Sequence, residues 1–376
     1  MPVITPRLRL RRPLKGRSAF APKGATVDRL SDLDGVRDNP GNLRGRFYVP
    51  EGLTGSVPLV VVLHGCTQNA AVYDHGSGWS TLADRHGFAL LYPEQKRENN
   101  PMLCFNWFSG DHAQRGKGEA ASIRAMIEAM KTHHAIDPSR VFVTGLSAGG
   151  AMAAVMLATY PEVFAAGAII AGIPFGCADS VGDAFECMNG RARNDATALA
   201  RQVRRASSHA GPWPRVQIWQ GTADHTVSAS NADSIARQWA QLHGLNGGPD
   251  RLDEVEGFPR RAWTGADGVA LVEQYSITGM AHGVPLASGG DEPVGAAGAH
   301  MLDVGLSSTD GIAAFFGVAA EREAQAAVPL RPVKEPAAQP RVRQKPAGKP
   351  AQKLAEQARG PQAIIEKALR AAGLMR

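Results

Sequence analysis

A serine flanked by glycines is the residue of this chain best placed to do chemistry. Gly145-Leu146-Ser147-Ala148-Gly149 follows a short β-branched and aromatic run and precedes a stretch of small residues. The order predicts a strand, a tight turn and a helix. Glycines allow a sharp, strained turn because they bring no Cβ clash. The pattern is that of a nucleophile elbow, with Ser147 as the predicted nucleophile.

A serine hydroxyl needs a base to take its proton and a carboxylate to orient that base. Asp224 lies just after the apolar run 216–219, and His282 lies in the loop after the run 271–277. Serine, aspartate, histidine is the chain order of α/β-hydrolases, and open α/β sheets place their sites at the carboxyl ends of strands. We therefore predict a catalytic triad of Ser147, Asp224 and His282.

Acyl transfer also requires two donors for the oxyanion that forms on the attacked carbonyl. The backbone N–H of Ala148, directly after the nucleophile, is the first predicted donor. The loop after the apolar run 58–63 begins His64-Gly65-Cys66, and the Cys66 N–H is the second predicted donor. The alternative, a catalytic thiol at Cys66, is disfavoured because Ser147 already has its partners.

The elements that must position these residues alternate along the chain. Nearly continuous apolar runs predict parallel strands covered on both faces, with helices between them. This pattern predicts an α/β fold with a mostly parallel, doubly wound sheet of about eight strands. The predicted strands include residues 47–49, 58–63, 88–93, 140–144, 165–171, 216–219 and 271–277, and the predicted helices 80–86, 119–134, 151–159 and 231–243.

Composition divides the chain into a catalytic domain and two basic ends. We predict a basic N-terminal arm at 1–39, a catalytic domain at 40–317 and a basic Pro/Ala-rich tail at 318–376, which ends in a candidate short helix at 362–374. Residues 173–214 are long for a connection and predict a lid-like insertion. The net charge of +6 comes from the two ends, because the body between them is net acidic.

Size and composition bound the remaining possibilities. The chain has 376 residues, 44% hydrophobic and 20% charged, as expected of a globular protein without a transmembrane run. No continuous apolar segment follows the basic N-terminal residues, so no ordinary signal peptide is expected. Nothing in the body predicts a nucleic-acid partner. The basic arms are candidates for contact with an anionic surface or granule.

The four cysteines leave two interpretations open. Bridges Cys66–Cys104 and Cys177–Cys187 would fit an oxidising compartment, whereas four buried thiols would fit the cytosol. No Cys-x-x-Cys spacing indicates zinc, and no metal or cofactor is expected.

Four short motifs of the chain occur together: Leu-His-Gly-Cys-Thr-Gln at 63–68, Asn-Trp-Phe at 106–108, Gly-Leu-Ser-Ala-Gly-Gly at 145–150 and Gly-Thr-Ala-Asp at 221–224. Together they resemble the polyhydroxybutyrate (PHB) depolymerase family of esterases, which is related to feruloyl and acetylxylan esterases. The resemblance spans roughly residues 40–317. It implies an α/β-hydrolase fold, a triad of Ser147, Asp224 and His282, and oxyanion donors at Cys66 and Ala148. Gln220 stands where the family often has histidine.

The resemblance predicts a serine carboxylic ester hydrolase that cleaves polyhydroxyalkanoate or related esters through an acyl-enzyme. The first alternative is a feruloyl or acetylxylan-type carbohydrate esterase. The second is a non-catalytic granule- or surface-binding protein on a hydrolase scaffold. Trp107 is predicted to line the substrate site, with a core role as its alternative. The family resemblance and the even cysteine count favour an extracellular location, whereas the missing signal peptide favours a cytoplasmic one. Both locations stay open. The oligomeric state stays open as well.

Overall fold

A computed structural model describes the folded body over residues 26–192, 195–289 and 293–319. The predictions for the outer part of the N-terminal arm and for the tail beyond 319, including the terminal helix, lie outside these residues. Residues 26–39 belong to the folded body. Arg29 donates hydrogen bonds to Asp84 (2.6 Å) and Tyr48 (2.6 Å), which fasten this segment to the domain.

Twelve strands and eight α-helices alternate along the described part of the chain. The strands are β1 (Ser31–Asp32), β2 (Arg44–Tyr48), β3 (Val57–Leu63), β4 (Ala89–Glu94), β5 (Ile136–Leu146), β6 (Ala166–Ile170), β7 (Arg215–Gly221), β8 (Arg251–Val255), β9 (Phe258–Thr264), β10 (Ala270–Ile277), β11 (Val284–Leu286) and β12 (Met301–Asp303). The helices are α1 (Ala70–Ser77), α2 (Trp79–His86), α3 (Gly118–His133), α4 (Ala148–Thr159), α5 (Val181–Met188), α6 (Ala196–Arg205), α7 (Ser230–Leu242) and α8 (Ser308–Phe316).

Ten of these strands form one twisted sheet in the order β1-β2-β4-β3-β5-β6-β7-β10-β9-β8. The six central strands, from β4 to β10, are parallel, and the strands outside them pair antiparallel. Strands β11 and β12 form a separate two-stranded parallel sheet. The fold is that of an α/β-hydrolase, as predicted.

The sheet has more strands than the predicted eight because its edges lack the apolar signal of its centre. Strand β1 has two residues, and β8 is exposed or only half-buried along its length. Strands β8 and β9 are joined by Glu256 and Gly257, both at positive φ (49° and 79°), the geometry of a two-residue hairpin turn. A strand without a buried face carries no hydrophobic alternation to predict it.

The core lies on both faces of the central strands. All seven residues of β3 are buried, and their side chains alternate between the two layers. Leu59, Val61 and Leu63 join the cluster formed with α3, α4 and α7. Val60 and Val62 join the cluster formed with α1, α2 and α8. Burying one such side chain contributes roughly 1.5–3 kcal/mol, so the sheet centre is the stable platform for the loops at its edge.

The predicted insertion 173–214 carries two helices, α5 and α6, that pack beside α7. The Gln238 amide of α7 donates to the carbonyl oxygens of Phe175 (2.8 Å) and Leu199 (3.1 Å). Asn231 of α7 donates to the Cys187 carbonyl (2.9 Å). These bonds fasten the insertion to the segment that follows Asp224. None of the described helices has the length and apolarity needed to cross a membrane.

Candidate active site

Ser147 occupies a strained backbone position between β5 and α4. Its φ and ψ are 58° and −118°, a conformation that residues with a Cβ rarely adopt. Its N–H donates to the Ile170 carbonyl (2.9 Å) at the end of the neighbouring strand β6, which helps to hold the turn. The residue is partly exposed. Strand, tight turn and helix thus follow one another as the sequence predicts.

The elbow glycines are required by a close backbone approach. A Cβ on Gly149 would lie 2.3 Å from the carbonyl oxygen of Leu63 and 2.5 Å from that of His64. A Cβ on Gly145 would lie 2.5 Å from the backbone of Gly149. The first turn of α4 is therefore pressed against the end of β3, which brings the loop after β3 to the same edge of the sheet as Ser147.

Asp224 and His282 are joined directly. His282 Nδ1 lies 2.7 Å from Asp224 Oδ2, and the Asp224 side chain is fully buried. Asp224 Oδ1 accepts from the backbone N–H groups of Thr226 and Val227, each at 2.8 Å. Gln220 Nε2 donates to Oδ2 at 3.1 Å. The carboxylate therefore has a defined partner for each oxygen and holds the imidazole by its Nδ1–H.

Opposing effects set the charge of this carboxyl group. Burial alone would raise the pKa of Asp224, but the His282 hydrogen bond and charge and two backbone donors outweigh it and lower the pKa below its usual range. Asp224 is therefore ionised at neutral pH. Because an ionised carboxylate only accepts, His282 Nδ1 carries the proton, and the Nε2 lone pair is the one left for a base.

The loops that carry Asp224 and His282 are locked to each other. They follow β7 and β10, which are adjacent parallel strands. The Ala223 N–H donates to the Met280 carbonyl (3.0 Å), and the Gly279 N–H donates to Thr222 Oγ1 (2.9 Å). A Cβ on Gly221 would lie 2.3 Å from the Met280 oxygen, so glycine is needed there. Side chains 58 residues apart in sequence thus acquire a fixed geometry.

A second histidine, His300, lies beside His282 and was not singled out from the sequence. Its Nδ1 is 3.1 Å from the His282 carbonyl oxygen, and the two rings are 5.8 Å apart and nearly perpendicular. His300 has a positive φ of 60°, which fixes its place in the turn before β12. It comes from a distant segment without a recognisable motif, so only the fold brings it to the site.

The loop after β3 is organised by His64. The backbone N–H of Gln95 donates to His64 Nε2 (3.1 Å), so Nδ1 carries the proton and donates to the Gly65 carbonyl (2.8 Å). Burial lowers the pKa of His64, which keeps the ring neutral. The Gly65 carbonyl belongs to the peptide whose N–H is that of Cys66. No acceptor in the described part of the chain takes the Cys66 N–H, and the Ala148 N–H is a first-turn helix donor without an intrahelical partner.

The cysteines form one bridge and one thiol pair. Cys66 is bonded to Cys104 across 38 positions of sequence, which ties the loop after β3 to the loop before α3. Because its sulfur is bridged, Cys66 is not a thiol nucleophile. Cys177 and Cys187 are unbridged, and the Cys187 thiol donates to the Cys177 carbonyl (2.8 Å). Of the two bridges considered from the sequence, Cys66–Cys104 is present, whereas Cys177 and Cys187 are adjacent and unbridged.

Trp107 lies between the core and the site. It is half-buried and packs against a small cluster that includes Ala151, Val227 and Cys187. Ala151 is one helical turn after Ser147, and Val227 follows Asp224 by three residues. Trp107 thus packs on a cluster that adjoins Ser147 and Asp224, and its contact with the substrate stays a prediction.

Comparison with known proteins gives three findings. The model of a family described as "Esterase PHB depolymerase" matches residues 43–254. Poly(3-hydroxyalkanoate) depolymerase C of Paucimonas lemoignei is 46% identical over 301 residues, which cover 80% of this chain and 72% of that protein. Feruloyl esterase B of Talaromyces stipitatus is 31% identical over 68% of this chain and 72% of its own length.

The solved structures include a similar esterase. The acetyl xylan esterase from Aspergillus awamori superimposes with a TM-score of 0.65 at 27% identity, covering 77% of this chain and 99% of that chain. The shared fold therefore extends over the whole length of that structure.

Proposed function

The chain belongs to the PHB depolymerase family of esterases, and from this premise we propose that it hydrolyses polyhydroxyalkanoate esters with Ser147 as nucleophile. It is a carboxylic ester hydrolase of α/β-hydrolase fold, which favours the enzyme over a non-catalytic binding protein. The substrate proposal is carried by the identity to the Paucimonas lemoignei depolymerase, the most extensive of the similarities reported above.

The proposed reaction begins at the elbow. Ser147 Oγ attacks the ester carbonyl carbon while His282 Nε2 takes its proton, and the new imidazolium is stabilised through Nδ1–H by Asp224. The carbonyl oxygen becomes an oxyanion that accepts from the N–H groups of Cys66 and Ala148. His282 then protonates the leaving alkoxide, and the acyl-enzyme remains. Water, deprotonated by His282, attacks the acyl carbon, and the Ser147–acyl bond breaks as His282 returns the proton to Ser147 Oγ and the acid is released.

The role of Trp107 is part of the proposal. Its position beside the cluster of Ala151 and Val227 supports contact with the acyl group of the substrate. Helix α5 of the 173–214 insertion joins the same cluster through Cys187, which supports a role for that segment in covering the site.

A substitution of the nucleophile tests the mechanism. Ser147→Ala is expected to lower kcat on a short p-nitrophenyl ester by roughly 10⁶-fold, because no other group supplies the attacking oxygen. The matched control is Ser139→Ala, an exposed serine near the start of the same strand β5, which should leave kcat unchanged. Ordinary turnover by Ser147→Ala would overturn the mechanism.

The acetylxylan or feruloyl esterase function is the second candidate, favoured by the fold shared with the Aspergillus awamori enzyme. The chemistry would be the same and the substrate pocket different. Rates on polyhydroxybutyrate, hydroxybutyrate oligomers, acetylated xylan and a feruloyl ester should be compared under one set of conditions. Polyhydroxybutyrate hydrolysis is the expected result. Turnover of acetylated xylan without release of hydroxybutyrate would replace the polymer proposal.

The basic ends of the chain support a further part of the proposal, contact with an anionic surface or granule. Removal of residues 321–376 should weaken adsorption to polymer granules at low salt and leave turnover of soluble esters unchanged. Equal adsorption of the full chain and of the chain without residues 321–376 at all salt concentrations would exclude this role of the tail.

A further inference from the structure

A carboxylate that the triad does not use is buried behind the loop after β3. The Glu119 side chain is fully buried at the start of α3. Its Oε1 accepts from Gln95 Nε2 (2.7 Å) and from Asn106 Nδ2 (2.6 Å), and its Oε2 accepts from the Asn106 N–H (2.8 Å). Three donors therefore converge on one acid, and all of them are neutral amides.

In the described part of the chain, no lysine or arginine forms an ion pair with this acid. His112 lies close to it, with its Nδ1 3.6 Å from Glu119 Oε1, and burial lowers the pKa of His112, which favours the neutral ring. Burial raises the pKa of Glu119 to about 7, because the three amide donors recover only part of the lost hydration. A buried carboxylate without a charged partner lowers the stability of the folded protein. The hydrogen bonds of Glu119 indicate which role offsets this cost.

The first set of contacts leads to the loop after β3, which carries the proposed oxyanion donor Cys66. Gln95, which donates to Glu119, also donates its backbone N–H to His64 Nε2 (3.1 Å) and its amide to the Cys104 carbonyl (3.1 Å). His64 holds the carbonyl of the Gly65–Cys66 peptide, and Cys104 holds the Cys66 sulfur. Glu119 is thus connected to Cys66 by two routes, one through hydrogen bonds and one through the disulfide.

The second set of contacts leads to the loop before α3, which carries Trp107. Both Asn106 donors end on Glu119, and Asn106 Oδ1 accepts from Asn100 Nδ2 (3.0 Å). Asn106 directly precedes Trp107. One carboxylate therefore ties together the loop that carries the predicted oxyanion donor and the loop that carries the predicted acyl contact.

We propose that Glu119 is a positioning residue for ester hydrolysis, which holds the Gly65–Cys66 peptide with its N–H directed at the oxyanion. The proposal rests on the function proposed above, in which the Cys66 N–H is an oxyanion donor. A hydrogen bond accepted by the Gly65 carbonyl polarises that peptide and strengthens its N–H as a donor. Complete loss of an oxyanion donor lowers kcat by about 10²–10³-fold, so a displaced donor should cost roughly 10–100-fold.

Glu119→Gln tests the proposal at nearly constant volume. A glutamine replaces one acceptor oxygen by an NH₂ group, which faces the donors of Gln95 or Asn106 and cannot bond them. We expect kcat to fall about 10–100-fold with KM within about twofold, because the oxyanion exists only in the transition state. Affinity for a trifluoromethyl ketone, which forms an oxyanion adduct with Ser147, should fall by the same factor. Unchanged kcat, or a loss confined to KM, would overturn the proposal.

The pH profile supplies a readout that a purely structural role would not move. Below about pH 7 Glu119 is protonated and loses an acceptor, while His282 must be neutral to act as base. Two groups must then be deprotonated in the wild type, so the acid limb of kcat should steepen towards a slope of two. In Glu119→Gln only one group remains, and the slope should be one. Equal slopes would contradict the proposal.

Two further variants separate this role from general damage to the core. Asp74→Asn changes another buried carboxylate, which accepts from Ser80 (2.7 Å) and Tyr92 (2.5 Å) rather than from the partners of Glu119, and should leave kcat unchanged. Gln95→Leu removes the hydrogen bond between Gln95 and Glu119 while Glu119 remains, and it should lower kcat by a similar factor. This variant therefore tests the proposal even if Glu119→Gln does not fold. Equal kcat losses in Asp74→Asn and Glu119→Gln would overturn the positioning role.

The outcome for Ser147→Ala distinguishes the two failures. An inactive Ser147→Ala beside a fully active Glu119→Gln would defeat this inference alone. An active Ser147→Ala would defeat the proposed function itself.

Discussion

Asp224 and Glu119 are both buried acids that accept at least three hydrogen bonds, yet their pKa values move in opposite directions. The pKa of Asp224 is lowered, whereas that of Glu119 is raised to about 7. The difference lies in their partners. Asp224 accepts a hydrogen bond from the imidazole of His282, whereas Glu119 accepts hydrogen bonds only from neutral amides, and the pKa of the nearby His112 is lowered by burial. Burial decides the charge of an acid only when no charged partner opposes it.

The contrast extends to the regions around the two acids. The acid side, formed by the loops after β7 and β10, is held by hydrogen bonds and carries His282, the group that becomes charged in the proposed mechanism. The oxyanion side, formed by the loop after β3 and the loop before α3, is held by the Glu119 hydrogen bonds and by the Cys66–Cys104 disulfide. We interpret the first as the chemical half of the site and the second as its rigid half.

The largest expected effect concerns the acid side. Asp224→Asn should lower kcat by roughly 10⁴-fold, because the neutral amide neither fixes the His282 tautomer nor stabilises the imidazolium. Steady-state kinetics on a soluble ester measure it. Asp253→Asn, which alters a carboxylate paired with Arg260 at the sheet edge, is the control and should keep full kcat. A loss below tenfold in Asp224→Asn would remove the distinction between the two regions.

Removal of the cross-link should have the next largest effect, on stability. The Cys66→Ala/Cys104→Ala variant opens a loop of 38 residues and should lose at most about 4 kcal/mol of unfolding free energy in the chain-entropy estimate. Urea denaturation gives the value. The control, Cys177→Ala/Cys187→Ala, removes two thiols and no cross-link. Equal losses in the two variants would show that the bridge does not stabilise the protein against unfolding.

The third prediction concerns the pH dependence of stability. The folded pKa of Glu119, about 7, lies above its ordinary value of 4.5, so folding favours the protonated acid. Stability of the wild type relative to Glu119→Gln should therefore fall as pH rises from 4.5 to 7, by roughly 3 kcal/mol. Unfolding free energies at pH 5 and pH 8 measure the change.

The acid side should show the opposite sign. Because the pKa of Asp224 is lowered on folding, its contribution to stability is present above pH 3.8 and is lost only as pH falls further. A wild-type stability that rises relative to Glu119→Gln between pH 5 and pH 8 would refute the contrast.

The smallest effect is expected at Gln220. Gln220→Leu removes the amide that donates to Asp224 Oδ2. One hydrogen bond to a charged group contributes about 1.5–3 kcal/mol, and the loss should be smaller here because Asp224 has four donors. We expect kcat to fall about fivefold, since the His282 contact and both backbone donors remain. Gln217→Leu, on the same strand but bonded to Glu273, is the control for lost stability without lost kcat. Equal kcat values for the two variants would exclude Gln220 from the support of the acid.

Several parts of this organisation could be predicted because their signals are local. The elbow motif predicted the turn at Ser147, and the apolar runs predicted the six parallel strands of the sheet centre. The hairpin of β8 and β9 could not be predicted, because Arg251–Val255 has no buried face. Helix α1 was missed as well, although Asn69 caps it by accepting from the Val72 N–H (2.9 Å), because its eight residues carry only a weak apolar pattern.

The functional partners divide in the same way. The pairing of Asp224 with His282 could be predicted from the sequence because each residue follows a recognisable strand in the expected chain order. Glu119, Gln95 and His300 were not, because a buried polar side chain has no periodic or motif signal of its own. Gln220 was noted only as a departure from a family pattern, and the structure gives it a bond to Asp224.

The linear order of residues thus predicted the fold class, the reaction class and a triad, of which the structure joins Asp224 and His282. Strand propensity, glycine geometry and chain order act over a few neighbouring residues, so the chain displays them directly. The tertiary structure alone decided that Cys66 is bridged to Cys104, that the His64 ring stays neutral and that Asp224, rather than Glu119, keeps its charge. Those properties depend on burial and on partners from distant segments, such as His282 with Asp224 and Gln95 with Glu119. No local pattern encodes such partners, because they meet only when parallel strands bring their loops to one edge of the sheet.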